Sequence, residues 1–345
     1  MLTNEAVLKA LSTVMDPDLK KDLVSLKMIE DLQVEGSKAS FSIVLTTPAC
    51  PLRNQIEENA RRAVKTLAGA EEVEIHTISR VQAPAPVNLD SNHFKHVIAV
   101  GSGKGGVGKS TVAVAIAARL AAMGASVGLL DADIYGPNIP RMLGIERLPE
   151  GDGPKIAPAQ AFGMKVVSIG FLVPEGQPLI WRGPMLHTAI KQFLTDFDWG
   201  ELDYFVVDLP PGTGDVQLSL TQTLPVSGAV VVTTPQQVAV DDASRAIAMF
   251  EKLQVPVLGV VENMSFFEMP DGSRVQIFGE GGGEALARMN SVPFLGAIPL
   301  DPAIGKAGDS GSPTALLQNS GPAAAALDQI TKAVAAEMSK AAYLK

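Results

Sequence analysis

The chain has 345 residues, 46% of them hydrophobic and 19% charged, values that exclude a disordered chain and leave room for two domains. With 28 basic and 37 acidic side chains the formal net charge is −9, which argues against a general nucleic-acid binder, since such proteins present a basic face. There is one cysteine, Cys50, so a single copy can build neither a disulfide nor a multi-cysteine metal site.

The first residues, MLTNEAVLKALSTVMDPDLKKD, carry acidic side chains early and no uninterrupted apolar core, unlike a signal or transit peptide. No apolar run approaches the roughly 20 residues that span a bilayer, so the expectation is a cytoplasmic protein without a membrane partner. Residues 6–15 have helical apolar spacing (Leu8, Leu11, Met15), stopped by Asp16-Pro17-Asp18. Residues 39–45 read as a strand running into the turn Thr46-Thr47-Pro48-Ala49-Cys50-Pro51, followed by a helical pattern over 52–67 and a short strand over 73–78. Residues 1–80 thus form a small α+β domain. The next segment, 81–92, reads VQAPAPVNLDSN; its Ala-Pro steps continue neither a helix nor a central strand, so it is a semi-rigid linker.

From 93 to 345 short apolar runs alternate with helical patterns. The predicted strands are 97–102, 126–133, 204–209, 229–234, 257–263 and 294–299, and the predicted helices 109–122, 185–197, 238–253 and 284–289. Near-continuous apolar strands between helices indicate an α/β fold with a mostly parallel, doubly wound sheet covered on both faces. Ligands in such sheets bind beyond the carboxyl ends of the strands.

At one such end stands Gly103-Lys104-Gly105-Gly106-Val107-Gly108-Lys109-Ser110-Thr111, a G-x-x-x-x-G-K-[ST] motif between a predicted strand and helix. Its glycines permit close backbone approach and positive φ, so successive N–H groups can turn toward phosphate oxygens. Lys109 then neutralises phosphate charge, Ser110 offers a hydroxyl to Mg²⁺, and the helix start adds its dipole. A merely flexible Gly-rich loop would not account for Lys-Ser-Thr at the helix start. Two later apolar runs end in carboxylates: Asp131 and Asp133, two apart and hence on one side of an extended chain, and Asp208. Asp208, followed by Pro210, Pro211 and Gly212, suits a Mg²⁺ ligand, and Gly212 is placed to offer its N–H to the γ-phosphate. Asp133 is the candidate for positioning the attacking water, and Asp131 for support near the metal. Asn263, closing the strand 257–263, has an amide able to read a purine edge, and Asp301 is a weaker candidate for the same pocket; both also suit turns.

The second lysine of the loop, Lys104, gives it a close resemblance to the deviant Walker A motif of the MinD/ParA superfamily. That resemblance implies an ATP-dependent homodimer in which Lys104 reaches the partner's nucleotide, where it could act as an arginine finger does. More narrowly, the chain resembles the Mrp/ApbC/NBP35-type branch, ATP-dependent iron–sulfur cluster carriers. The stretches that carry this are DADIYGPNIPRMLG (131–144), WRGPM (181–185), DLPPGTGD (208–215), ENMSFF (262–267), FGEGGGEALA (278–287) and GAIPLDP (296–302). DPDLKKDLVSL and LTTPACP resemble the MIP18 (DUF59) domain often fused in front of bacterial Mrp proteins. The resemblance implies ATP and Mg²⁺ as ligands, a homodimer, and iron–sulfur client or scaffold proteins as partners.

One departure bears on the cargo. The family usually has a CxxC after the ENMS stretch, whereas here the chain reads Phe267-Glu268-Met269-Pro270-Asp271, and a thioether is a weak ligand beside a thiolate. Cys50 is the remaining thiol, with two readings: a cluster thiolate activated by the following helix, or a small partly buried hydrophobe. His93 and His96 have metal-compatible spacing but no acidic neighbours, and are expected to face solvent. The competing function is a MinD/ParA-like positioning switch, which requires a basic amphipathic tail. The stripe Leu327, Ile330, Val334, Met338 and Ala341 lies beside a polar face of mixed charge, which suits a last helix over the sheet better.

Overall fold

The structure, a computed structural model, describes residues 2–82, 87–89, 92–150, 153–172, 183–312 and 321–343. The Ala-Pro steps of the expected linker and Trp181 and Arg182 of the WRGPM stretch lie outside the described residues. The chain divides into two compact units, Met1–Pro84 with Ala335–Lys345, and Ala85–Val334.

The first unit contains α1 (Asn4–Leu11), β1 (Ile29–Glu35), β2 (Lys38–Leu45), α2 (Arg53–Ala63) and β3 (Glu72–Ser79). Thr3 caps α1 by accepting the Ala6 N–H. The helix ends earlier than its apolar spacing predicts, because the Ser12 and Thr13 hydroxyls bond the carbonyls of Lys9 and Ala10. Asp16 then accepts from the N–H groups of Asp18 and Leu19, forming the expected stop. β1 pairs antiparallel and β3 parallel to β2, and Val7, Leu11, Phe41, Ile43, Ile56 and Val73 fill the core. β1 was not expected, since its alternation is diluted by Glu30, Asp31 and Glu35.

The second unit begins with β4 (Val87–Leu89) and β5 (Asn92–Ser102). β4 pairs antiparallel with β5, so the expected linker is already sheet over Val87–Leu89 and again at Asn92. Asn92 is fully buried: its amide donates to the Leu194 and Phe197 carbonyls and accepts from the Trp199 and Gly200 N–H groups. A polar residue inside a turn-forming stretch here satisfies a buried chain reversal.

Beyond β5 come α3 (Lys109–Ala122), β6 (Val127–Asp131), α4 (Ile139–Leu143), β7 (Ala159–Ala161), β8 (Met164–Ser168), α5 (Gly183–Thr195), β9 (Glu201–Asp208), α6 (Asp215–Thr223), β10 (Gly228–Thr233) and α7 (Gln237–Lys252). The chain continues through β11 (Val257–Glu262), β12 (Phe267–Glu268), β13 (Arg274–Val275), α8 (Gly282–Met289), β14 (Phe294–Ala297), α9 (Pro302–Asp309) and a last helix, α10 (Pro322–Tyr343). The sheet order is β14-β11-β10-β5-β9-β6-β8-β7, with β4 beside β5. Neighbours from β14 to β8 run parallel, and among the described strands of this sheet only β4 and β7 pair antiparallel. β5 therefore sits centrally, flanked by β9 and β10, and its carboxyl end is the crevice where a mostly parallel sheet takes its ligand.

Burial explains the readable pattern. β9 and β10 are buried along nearly their whole lengths, and α3 is buried from Val112 to Leu120. Phe94 stacks on Phe205 at 4.5 Å, and Trp199 meets Phe205 edge-on at 4.8 Å. In α10 Leu327, Ile330, Val334 and Met338 are buried, so this apolar stripe is not a free amphipathic tail. No described helix is long and apolar enough to cross a membrane. His96 corrects the expectation of solvent exposure: it is 4% exposed and stacks on Tyr204, because it faces inward on β5.

Candidate functional site

The loop from Gly103 to Gly108 leaves the end of β5 and enters α3. Gly106 and Gly108 have φ of +79° and +82°, the left-handed conformation that turns successive N–H groups inward. Gly103 is needed for another reason: a Cβ there would lie 2.1 Å from the Asp242 carbonyl carbon, in the backbone of α7. A Cβ on Gly108 would meet the Asn263 amide nitrogen at 2.1 Å.

At the head of α3 the Lys109 ammonium lies 2.7 Å from Asp208 Oδ1 and 3.3 Å from Asp133 Oδ2. The Ser110 hydroxyl donates to Asp208 Oδ2 at 2.5 Å. β9 ends on Asp208 and β6 on Asp131, adjacent partners in the sheet, so strand register brings the carboxylates together. Asp133 also accepts the Tyr135 N–H, at 3.1 Å. Asp131 accepts from the Asp133 N–H, the Ile139 N–H and the Ser168 hydroxyl at 3.2, 3.2 and 2.9 Å. Its lone pairs thus hold the loop carrying Asp133, the start of α4 and the end of β8.

Three buried carboxylates share one ammonium here. Burial, and then the charge of Asp208, push the Asp131 carboxyl up to about 8, against the pull of the Ser168 hydrogen bond. Burial pushes Asp208 up as well, but the Lys109 ammonium and the Ser110 hydroxyl oppose it. Burial alone would lower the Lys109 pKa; Asp208 and Asp133 more than reverse that, and the lysine stays charged. The cluster is an ion pair with surplus acid, and burial raises both Asp131 and Asp208.

In front of the loop lies a cavity of about 410 Å³ lined by Lys104, Gly105, Lys109, Ser110 and Thr111, and by Arg141 of α4 and Gly308 of α9. A second, more apolar cavity of about 220 Å³ is lined by Val112, Asn263, Ile298, Pro299 and Asp301. Both include Gly108, Thr111, Ile304 and Gly305, so the two are contiguous. A polar chamber at the glycine loop joined to an apolar chamber fits a molecule with a phosphate chain at one end and a flat base at the other.

Several expected site residues are placed differently in detail. The Gly212 N–H donates to the Ser102 carbonyl at 2.9 Å, so in this state it is not offered to a phosphate; the backbone of the loop after β9 closes on β5 instead. The Asn263 amide donates to the Val107 carbonyl at 2.9 Å, which ties it to the glycine loop, and Asn263 also lines the second cavity. Asp301 caps α9 through the Ala303 N–H. Lys104 lines the first cavity, and its backbone carbonyl accepts from Ser102 Oγ.

Cys50 departs from the activated-thiolate expectation. It is half-buried against the core of the first unit, and burial, with Asp16 and Asp18 adding, pushes the thiol up despite the N–H groups of Leu52 and Arg53. Where the CxxC would stand, β12 and β13 form a small hairpin bearing exposed Met269. Among the described residues no group of three His, Cys, Asp or Glu could hold a metal ion.

Neither α4, which lies within the stretch 131–144, nor α9 was expected as a helix, and both line the first cavity. A signal for α4 exists: Pro140 sits just inside its start and Gly144 just past its end.

Residues 93–335 match the family model described as NUBPL iron-transfer P-loop NTPase, and residues 4–76 the model described as iron-sulfur cluster assembly protein. The chain is 50% identical over 355 aligned positions to an iron-sulfur cluster carrier protein of Synechocystis, covering 100% of both. It is 53% identical to a protein of the same description from Deinococcus radiodurans, covering 97% of this chain and 96% of that one. A nucleotide-binding protein from Archaeoglobus fulgidus, solved in complex with ADP, is 42% identical over 64% of this chain and 88% of its own, with a TM-score of 0.57. The MinC:MinD complex of Aquifex aeolicus, 24% identical over 68% of this chain and 94% of that one with a TM-score of 0.52, shares the fold.

Proposed function

The chain belongs to the family of NUBPL-type iron-transfer P-loop NTPases, and from that premise we propose that it is a Mg²⁺-dependent ATPase. Nucleotide-driven changes of a homodimer drive its binding and transfer of iron–sulfur clusters. The observation that carries the ATPase part is the convergence of Lys109 and Ser110, from the start of α3, on Asp208 at the end of β9.

In the free protein Lys109 is held by Asp208 and Asp133. Nucleotide entry exchanges these carboxylates for phosphate oxygens, with the N–H groups of the glycine loop and the α3 dipole adding to the attraction. The surplus acid of the cluster and the adjacent hard oxygens of Ser110 and Asp208 fit a divalent cation. When bound, Mg²⁺ neutralises phosphate charge and fixes the phosphate geometry. Asp133 orients the attacking water, Lys104 completes the partner subunit's site, and the apolar cavity with Asn263 takes the base. The printed descriptions of the relatives and the match over 4–76 favour an iron–sulfur carrier over a positioning switch, and the buried stripe of α10 argues the same way.

Steady-state ATP turnover with and without Mg²⁺ tests this reading. Lys109→Ala is expected to abolish nucleotide binding, and Lys104→Ala to keep binding while losing roughly 10³-fold in turnover, the scale of an arginine finger. Hydrolysis by Lys104→Ala at the wild-type rate would overturn the trans role of that lysine, and turnover without Mg²⁺ would overturn the metal assignment.

A further inference from the structure

The phosphate cavity has three cations in its lining, Lys104, Lys109 and Arg141, against one carboxylate, Asp309. Lys109 is already matched by Asp208 and Asp133. Arg141 has no side-chain hydrogen bond or ion pair recorded among the described residues, although it stands at a cavity wall shared with the glycine loop.

Its placement is built rather than incidental. The N–H of Ile139, two residues before Arg141, donates to Asp131 Oδ2, which also accepts from Ser168. At the other end of α4, Gly144 adopts φ +67° so close to the chain after α9 that a Cβ would lie 2.7 Å from the Gly311 carbonyl oxygen. Gly311, at φ +67°, is pressed as closely from its side: a Cβ there would lie 3.0 Å from the Gly144 Cα and 3.1 Å from the Arg141 carbonyl oxygen. The one-and-a-half-turn helix is thus pinned at its start to the carboxylate cluster and at its end to the loop that follows α9. Its backbone holds Arg141, itself exposed, at the cavity.

We propose that Arg141 is a phosphate-contacting residue of the nucleotide site, its planar fork taking oxygens of the phosphate chain from the α4 side while the glycine loop holds them from the other. This rests on reading the cavity as an ATP site. It gives α4 a role: through the Ile139–Asp131 bond, the arm that touches the phosphates also touches the loop bearing Asp133.

Calorimetric titration of Mg-ATP and of ADP into wild type, Arg141→Ala and Arg141→Lys, each at low and at raised salt, tests the assignment. Arg141→Ala is expected to raise both dissociation constants about tenfold, the order of one solvent-accessible charge-assisted hydrogen-bond pair, and to flatten their salt dependence. Arg141→Lys is expected to recover the salt dependence but not the full affinity, since it keeps the charge and loses the fork. The melting temperature of the nucleotide-free protein should not change. Wild-type affinity in Arg141→Ala overturns the proposal, and so does weaker binding with unchanged salt dependence, which would mean that the arginine only shapes the wall. Failure of the wild type to bind either nucleotide would instead overturn the ATP reading itself.

Discussion

Asp131 shows how one side chain carries both structural and electrostatic consequences. Its carboxyl is held up to about 8 by burial and by Asp208, whereas in an unfolded chain it would titrate near its ordinary 3.8. Between those values the native protein keeps a proton that the unfolded chain has lost, so stability falls as pH rises from about 4 to about 8 and levels above. The slope from this group is at most about 1.4 kcal/mol per pH unit. Urea unfolding of the nucleotide-free protein at pH 5.5 to 8.5 should show this decline, and Asp131→Asn should flatten it, at the cost of a lower plateau because its NH₂ would face the Ile139 N–H. An unchanged slope in Asp131→Asn would place the surplus proton elsewhere. Part of the residue-level geometry was legible: Lys109 and Ser110, expected at one site with Asp208, both bond to it. Hydrogen bonds of Gly212 and Asn263 were not, because their partners, the Ser102 and Val107 carbonyls, are set by tertiary placement.

Among the elements, those buried on both faces or flanking the nucleotide loop were the readable ones. α3 runs over the residues its pattern predicts, β10 and β11 differ from expectation by no more than one residue at either end, and β9 starts three residues earlier than its apolar run and ends one sooner. Among the elements missed, several are short or at an edge, such as β7, or interrupted by Gly, such as α9 with Gly305 and Gly308. Such segments bury too few side chains for a period to show. α7 gives the glycine loop a constraint that no phosphate argument contains, since its backbone at Asp242 occupies the space of a Gly103 side chain. Gly103→Ala is therefore expected to destabilise the free protein by about 1–3 kcal/mol through overpacking, whereas Gly105→Ala, whose nearest obstacle is Pro211 at 3.9 Å, should stay within about 0.5 kcal/mol. Chemical denaturation of both variants without nucleotide checks this. Equal stabilities would mean that α7 yields to the added methyl.

For the whole molecule, the nucleotide machinery and the cargo chemistry are unequally represented. The nucleotide side has its loop, lysines, carboxylates and a two-chambered cavity within Ala85–Val334. The cargo side has one thiol, Cys50, in the first unit and none in the β12–β13 hairpin. Clusters are held chiefly by thiolates, so a carrier role for this chain would call on Cys50, with the other ligands coming from a second copy, a thiol cofactor or a client protein. If Cys50 is such a ligand, iron would have to draw the proton from a thiol whose burial resists ionisation, and cluster loading is then expected to improve toward the alkaline side. The measurement that tests the carrier claim most directly is the iron and acid-labile sulfide content of the protein after anaerobic reconstitution in the presence of a small thiol, wild type beside Cys50→Ala. Iron and sulfide in the wild type with thiolate-to-iron absorption, lost in Cys50→Ala, is the predicted result; a wild type that retains neither would contradict it.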